Sequence, residues 1–193
     1  IRADSAEWSI NIGVSDETQA GALEVLAQER QVVETFLDKQ GLAAETRTAN
    51  VETLAPHYEE IFIKDMPRQV QKGFDAFQTI RVTSQDLNKI TAANKAFLQL
   101  KADNHPVSAE APSYLVSNLE SIKMSLIADA RATEFVKQDG VNVGVMKSAS
   151  QGAFYILPVG GADDSDNSYG GVYDKSTIAK TARVVVTIVY NIE

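Results

Sequence analysis

Apolar and polar side chains alternate along the start of the chain, over residues 7–15. Because successive side chains of a β-strand point to opposite faces, this alternation predicts a half-buried strand. Ser15 can cap a following helix, and Asp16 and Glu17 stand in its first turn, where the helix dipole favours negative charge. Apolar residues at helical spacing then continue as far as Gly41, which is placed to end that helix.

Strand character returns after this first helix. Residues 42–54 are rich in Thr, Val and Ala and predict a strand that Pro56 interrupts. The polar passage over residues 58–67 predicts either a loop or the tip of a long hairpin. Alternation resumes over residues 69–83 and predicts another strand.

A second helix and a connection follow. Ser84 and Asp86 open the helix, and its apolar stripe reaches Leu100. Residues 103–112 contain two prolines and predict a connection without regular structure. A short strand is predicted at residues 114–117.

The last third of the chain predicts one more helix and a long strand. Asn118 can cap the helix, and Gly140 can close it. Residues 141–157 predict the strand, with bends at Gly144 and Gly152.

The final strand, residues 184–192, is apolar on both faces, which predicts a position inside a sheet rather than at its rim. The order helix-strand-strand occurs in two pseudo-repeats, at about residues 7–83 and 114–193, and predicts a structural duplication. Helices packed on a mixed, mainly antiparallel sheet give the α+β class. Since no change of composition separates independent domains, residues 1–193 are predicted to form a single domain.

Composition narrows the classes of function. The chain has 193 residues, of which 44% are hydrophobic and 23% charged, as in ordinary globular domains. Its net charge is −8 and Lys and Arg are not clustered, so a nucleic-acid partner is not expected. Cysteine is absent, which excludes thiol nucleophiles, disulfides and thiolate metal sites. No run of 18 apolar residues is present to span a bilayer.

The chain has two histidines, His57 and His105, both in predicted loops. A divalent-metal site would combine His57 with Glu59 and Glu60. No helical spacing of the His-Glu-x-x-His type supports that site, and isolated loop histidines are usually solvated. Surface histidines are therefore the favoured interpretation.

An acidic, glycine-rich loop at residues 163–167 suggests calcium. An EF-hand register that starts at Asp164 places Tyr169 at the required glycine and Lys175 at the closing glutamate. The pattern fails at both positions, so a solvated loop is favoured.

Motifs for catalysis are missing from the sequence. Neither a nucleophile elbow nor a phosphate-binding glycine loop occurs, and the adjacent carboxylates of Glu59 and Glu60 would point apart on a regular strand. No catalytic, cofactor-binding or metal-binding residue is therefore assigned, and the protein is not expected to be an enzyme.

Aromatic side chains divide into two groups. Tyr169 and Tyr173 lie in the glycine-rich loop, where they could mark a subunit contact or fold back on the sheet. The others on predicted strands and helices are expected in the core: Trp8, Phe36, Phe77, Phe97, Phe135 and Tyr190.

Several stretches together resemble one family, the SIMPL-domain proteins of bacterial envelopes. The resembling stretches are residues 3–8 (ADSAEW), 77–83 (FQTIRVT), 118–135 (ending IADARATEF), 140–144 (GVNVG), 148–154 (SASQGAF) and 175–190 (ending VVVTIVY).

The resemblance implies location and assembly rather than a reaction. Similar proteins are exported to the periplasm, some with a cleaved signal and some on a single N-terminal membrane anchor; members have a duplicated α/β fold and can form large ring- or channel-like oligomers. Some are linked to tolerance of oxidative stress, and no catalytic residues are established. Residues 3–8 are most similar to the membrane-anchored group, which implies that an upstream strand and an N-terminal inner-membrane anchor lie outside this chain.

The expected function is thus that of a non-enzymatic periplasmic protein that acts by self-assembly, as a homo-oligomer, or by binding another envelope protein. The alternative is a module that binds a small molecule or a divalent metal through His57, Glu59 and Glu60, or through residues 163–166. Without cysteine, a role in stress tolerance would exclude peroxide reduction by a protein thiol.

Overall fold

The computed structural model describes residues 1–63, 66–136, 143–160 and 172–192; for residues 131–136, 143–146 and 190–192 it describes the backbone alone. The elements are helices and mainly antiparallel strands, which confirms the α+β class. The chain forms two compact units, Ser5–Ser113 and Ile1–Asp4 with Tyr114–Glu193.

The elements follow in chain order. They are β1 (Ser5–Asp16), α1 (Gln19–Lys39), a 3-10 turn (Ala44–Thr46), β2 (Arg47–Ala49), β3 (Thr53–Ile63), β4 (Met66–Ser84), α2 (Leu87–Ala96), α3 (Leu98–Ala102), β5 (Val107–Ala109), β6 (Ser113–Leu115), α4 (Leu119–Val136), β7 (Val143–Pro158) and β8 (Lys180–Ile192). A helix followed by an antiparallel strand pair occurs in each unit, as α1 with β3 and β4 and as α4 with β7 and β8. The predicted single domain over residues 1–193 stays a prediction.

Strand β4 organises the sheet of the unit Ser5–Ser113. One edge of β4 pairs with β1 from Phe74 to Ser84, and the other edge pairs with β3 and then with β2. Strand β5 pairs with the far edge of β1. The prediction that residues 103–112 form an irregular connection is therefore wrong, because three of them complete a ladder that only the tertiary fold provides.

The core of this unit lies between the sheet and the helices. The alternating side chains of β1 are buried as predicted, since Trp8, Ile10 and Ile12 are each at most 1% exposed. The Trp8 ring meets Phe97 edge-on at 5.5 Å between centroids, and its indole N–H donates to the Glu110 carbonyl at 3.0 Å. Phe36 packs on Phe97 at 6.1 Å, so these three aromatic residues are core residues.

Helix α1 begins later than the sequence suggested. Ser15 is not its cap, because the β1–β4 ladder continues to Asp16 and holds both residues in extended conformation. Thr18 is the N-cap instead, and its hydroxyl accepts a hydrogen bond from the Gly21 N–H at 3.0 Å. After the helix, Gly41 adopts φ +70°, as its predicted role at the helix end requires.

The predicted core position of Phe77 is wrong. Its side chain is 46% exposed on the outer face of the sheet, where it covers Gly13 of the neighbouring strand β1. An aromatic ring laid over a cross-strand glycine shields backbone that has no side chain of its own. The side chains of Phe135 and Tyr190 lie outside the described residues.

In the second unit, β7 and β8 form an antiparallel ribbon. Its register shifts between Gln151 and Phe154, the stretch that contains Gly152, where a bend was predicted. The predicted interior position of β8 is wrong for the described residues: beyond Lys180, β8 pairs with β7 alone, and Val185 is 42% exposed. A two-faced apolar pattern indicates what a strand needs covered, but not which element covers it.

Candidate interaction site at the projecting hairpin

The hairpin of β3 and β4 extends beyond the rest of the described sheet. Strand β1 ends at Asp16, opposite Phe74, so β4 pairs only with β3 from Gly73 to Met66. We call residues 57–63 and 66–73 the arm. The prediction of a long hairpin at this position is confirmed, and its loop alternative is wrong for the residues on either side of the tip; Lys64 and Asp65 lie outside the described residues.

The arm carries large apolar side chains that no described element covers. Tyr58 is 55% exposed, Phe62 71%, Ile63 46% and Met66 59%. From the register, Tyr58 and Phe62 share one face, whereas Ile63 and Met66 are directly paired on the other. A two-stranded hairpin is marginally stable in water, and clustered exposed apolar side chains mark interaction sites. The arm is therefore the strongest candidate for a binding surface among the described residues.

The two strands of the arm carry opposite charges. Glu59 and Glu60 lie on β3, whereas Arg68 and Lys72 lie on β4. One edge of the arm is consequently acidic and the other basic, which matters for what can pair with each edge.

The base of the arm is held by a row of polar side chains across three strands. The Ser15 hydroxyl on β1 donates to Asp75 on β4 at 2.5 Å, and His57 Nδ1 on β3 lies 3.0 and 3.1 Å from the two Asp75 carboxylate oxygens. On the other side of the ring, His57 Nε2 lies 3.8 Å from Glu59 Oε1. Sequence reasoning selected His57 and Glu59 but missed Ser15 and Asp75, which tertiary pairing brings to them.

The pKa of the Asp75 carboxyl lies below its usual range. The hydrogen bond from Ser15 is the main cause; burial acts in the opposite direction, and the hydrogen bond and charge of His57 lower the pKa further. Asp75 is therefore an anion at neutral pH and a fixed negative partner for the imidazole.

The predicted loop position is wrong for His57 and correct for His105, which lies between α3 and β5, but both side chains have carboxylate partners. His57 lies within β3, and His105 Nδ1 lies 2.8 Å from Glu29 Oε2, 76 positions away in sequence. His105 also lines a groove of about 590 Å³ that has Val32, Phe36 and Leu100 among its lining residues. Contacts over such separations leave no local pattern that sequence inspection could find.

The suggested metal ligands are not brought together as a set. Glu59 and Glu60 alternate on β3 and point to opposite faces, so His57 has only Glu59 beside it on that strand. Within the described ranges, no group of three His, Asp or Glu side chains could hold a metal ion. The predicted acidic loop at residues 163–166 lies outside the described residues, as does Tyr169.

A buried ion pair in the second unit was not predicted. The Lys180 side chain is 0% exposed, and its ammonium donates to the Asp174 carbonyl at 2.6 Å and to Asp174 Oδ2 at 3.0 Å. Asp174 also accepts hydrogen bonds from the hydroxyls of Ser176 and Thr177. Burial raises the pKa of Asp174, but the hydrogen bonds from Ser176, Thr177 and Lys180 outweigh it and hold the pKa well below its usual range.

Tyr173 stands beside this pair and folds back on its own unit. Its hydroxyl accepts a hydrogen bond from the Val116 N–H at 2.8 Å. Of its two predicted roles, the inward-folded one is confirmed. The Asp-x-Ser-Thr order at residues 174–177, typical of a side-chain-capped turn, was the available signal for this cluster.

Comparison with known proteins identifies the chain at the level of a family. The model of the SIMPL family, described as a protein of unknown function (DUF541), matches residues 1–188. No curated protein matches the chain. In the part of the chain that the structure describes, no helix is long and apolar enough to cross a membrane.

Proposed function

Since the chain belongs to the SIMPL family, whose function is unknown, we propose from its own geometry that it is a non-enzymatic assembly protein whose arm binds a second copy of the same chain. The observation that carries this proposal is the uncovered apolar surface of the arm, above all Phe62 at 71% exposure. A strand of a second copy added at an edge of the arm places neighbouring side chains on both faces, which buries part of the apolar surface that a two-stranded hairpin leaves exposed.

The charges of the arm favour a second copy as the occupant. Two β3 edges placed side by side would bring Glu59 and Glu60 of each copy together, and two β4 edges would oppose Arg68 and Lys72 in the same way. The β3 edge of one copy against the β4 edge of the next places acidic beside basic residues instead. Antiparallel or parallel strand addition at these edges also satisfies backbone groups that the arm leaves unpaired among the described strands.

The arm can be tested with a matched pair of serine variants. Phe62→Ser should lower the apparent mass in light scattering across a concentration series and weaken association by about tenfold or more. Leu98→Ser is the control, because Leu98 is 67% exposed on α3, away from the arm. Equal association of both variants, or a strictly monomeric parent protein, contradicts the proposal.

A charge-reversal variant tests the pairing of the acidic β3 edge with the basic β4 edge. Arg68→Glu should weaken association by making both edges acidic, and the second change Glu59→Lys should restore part of it. The first change distinguishes the two geometries, because Arg68→Glu would leave pairing between two β3 edges unchanged and would strengthen pairing between two β4 edges.

The proposed location is the periplasm, with an inner-membrane tether supplied by an N-terminal segment. There, any part in tolerance of oxidative stress would follow from assembly or from binding an envelope partner. Proteolysis of cells tests the location: cleavage once the outer membrane is opened supports it, and resistance until the inner membrane is lysed contradicts it.

A further inference from the structure

His57 stands at the point where the arm leaves the sheet, between two carboxylates. The imidazole has carboxylates at both nitrogens, Asp75 at Nδ1 and Glu59 at Nε2. A neutral imidazole has one N–H and one lone pair, so it can donate to only one of these carboxylates and turns its lone pair toward the other. An imidazolium donates to Asp75 and attracts Glu59, 3.8 Å away, through its charge.

The remaining charged groups near the base of the arm do not replace these two. Asp16, at the end of β1, accepts hydrogen bonds from the N–H and hydroxyl of Thr18, and it pairs with Phe74, which points away from the face of Asp75. Glu17 follows Asp16, and Lys72 is the extra residue of the bulge on β4. Asp75 and Glu59 are thus the charged groups that face the His57 ring.

The backbone at this point has the features of a hinge. The β3–β4 register shifts between His57 and Tyr58, where one residue of β3 is opposed by an extra residue on β4. Opposite His57 lies Gly73, where a Cβ atom would overlap the carbonyl oxygen of Asp16, so the end of β1 passes directly over the hinge. The ladder to β1 begins at the next residue, Phe74.

We propose that His57 is a pH-sensitive latch that fixes the arm to the body of the unit. When the ring is protonated, it connects β3 through Asp75 to Ser15 on β1 and forms an ion pair with Glu59 of the arm. When the ring is neutral, the contact to Asp75 loses its attraction between opposite charges and the lone pair at Nε2 faces the Glu59 carboxylate, so the base of the arm opens more readily. The latch draws on the range between about pH 5 and 8, in which histidine side chains change charge.

The latch depends on the proposed function only for its effect on association, because the geometry of the arm matters there only if the arm binds a second copy. The latch itself is tested by amide hydrogen exchange in the full chain, with rates corrected for the intrinsic effect of pH. Amides of residues 57–60 and 69–73 should be about two- to fivefold more protected at pH 5.5 than at pH 8, the size expected for a partly exposed ion pair.

Two variants isolate the ring. His57→Gln keeps a hydrogen-bonding side chain but cannot titrate, and it should abolish the difference in protection between the two pH values. His105→Gln is the matched control, because it removes the other histidine, which contacts Glu29, and should leave the difference unchanged. Asp75→Asn provides a second test at the carboxylate, and it should also reduce the difference.

The outcomes separate the two proposals. An unchanged protection ratio in the parent protein, or the same ratio in His57→Gln, overturns the latch even if light scattering shows association through the arm. A latch that responds to pH in a protein that remains monomeric contradicts the proposed function and leaves the latch intact.

Discussion

The two hairpins that follow α1 and α4 have the same order in sequence but different surroundings in the structure. Strand β4 pairs with β1 over residues 74–84 and on its other edge with β3 as far as Phe77 and with β2 over residues 80–82, and its inward side chains Ile80 and Val82 are at most 2% exposed. Strand β8 has a more apolar sequence, yet it pairs with β7 alone beyond Lys180, and Val185 and Val189 stay more than 40% exposed.

The comparison shows that hydrophobic content does not by itself decide where stability lies. In the first unit, stability comes from side chains buried between a sheet and helices, while the uncovered end of the hairpin remains available as the arm. In the second unit, an ion pair lies at the start of β8, with the Lys180 side chain 0% exposed and the Asp174 side chain 8% exposed.

The largest expected effect follows from Lys180. Lys180→Met removes the cationic partner of the Asp174 carboxylate and should destabilise the second unit by about 3–5 kcal/mol, because a charge that is only 8% exposed would keep its hydrogen bonds from Ser176 and Thr177 but no opposite charge. Chemical denaturation followed by hydrogen exchange in β7 and β8 measures the loss. Lys175→Met is the control at an exposed lysine nearby, and equal stability of the two variants would show that the ion pair carries no weight.

The next prediction compares the loss of stability caused by truncating a buried residue of β4 and an exposed residue of β8. Ile80→Ala should cost about 2–5 kcal/mol because it leaves a cavity beneath α1, whereas Val185→Ala should cost less than about 1 kcal/mol at an exposed position. Urea unfolding curves of both variants measure the difference. A large loss in Val185→Ala would mean that the exposed face of β8 is covered in solution.

The smallest expected effect is the loss of folding stability at low pH. Asp174 and Asp75 both have folded-state pKa values below those of an unfolded chain, so each stabilises the fold fully above about pH 4 and loses that contribution as the pH falls toward its folded pKa. Asp174→Asn should flatten the acid dependence of stability between pH 5 and 2 more than Asp75→Asn, because its side chain is 8% rather than 23% exposed. Thermal unfolding at each pH measures both slopes, and indistinguishable slopes in the two variants would contradict the ranking.

Local patterns were enough to predict much of the fold. Alternation identified β1, β4 and the long strands β7 and β8, and Asp86 caps α2 as its position suggested, with its carboxylate accepting from the Lys89 N–H. The twofold helix-strand-strand order was also visible, since periodicity depends only on which side chains a single element must bury.

The arm could be predicted only in part. A hairpin tip was one of two interpretations of residues 58–67, but its exposed apolar surface depends on where β1 stops, which is a fact about a different segment. The apolar run of Ile61, Phe62 and Ile63 inside a polar passage was the available signal.

The sequence by itself determined the class of fold, the stripes of side chains that form the core and the absence of cysteine chemistry, because each depends on composition or on neighbours within one element. The tertiary structure decided what lies beside His57, His105 and Lys180 and which end of a strand stays uncovered. Those features arise where strands distant in sequence are placed in register, and register is set by the packing of the whole unit rather than by any one segment.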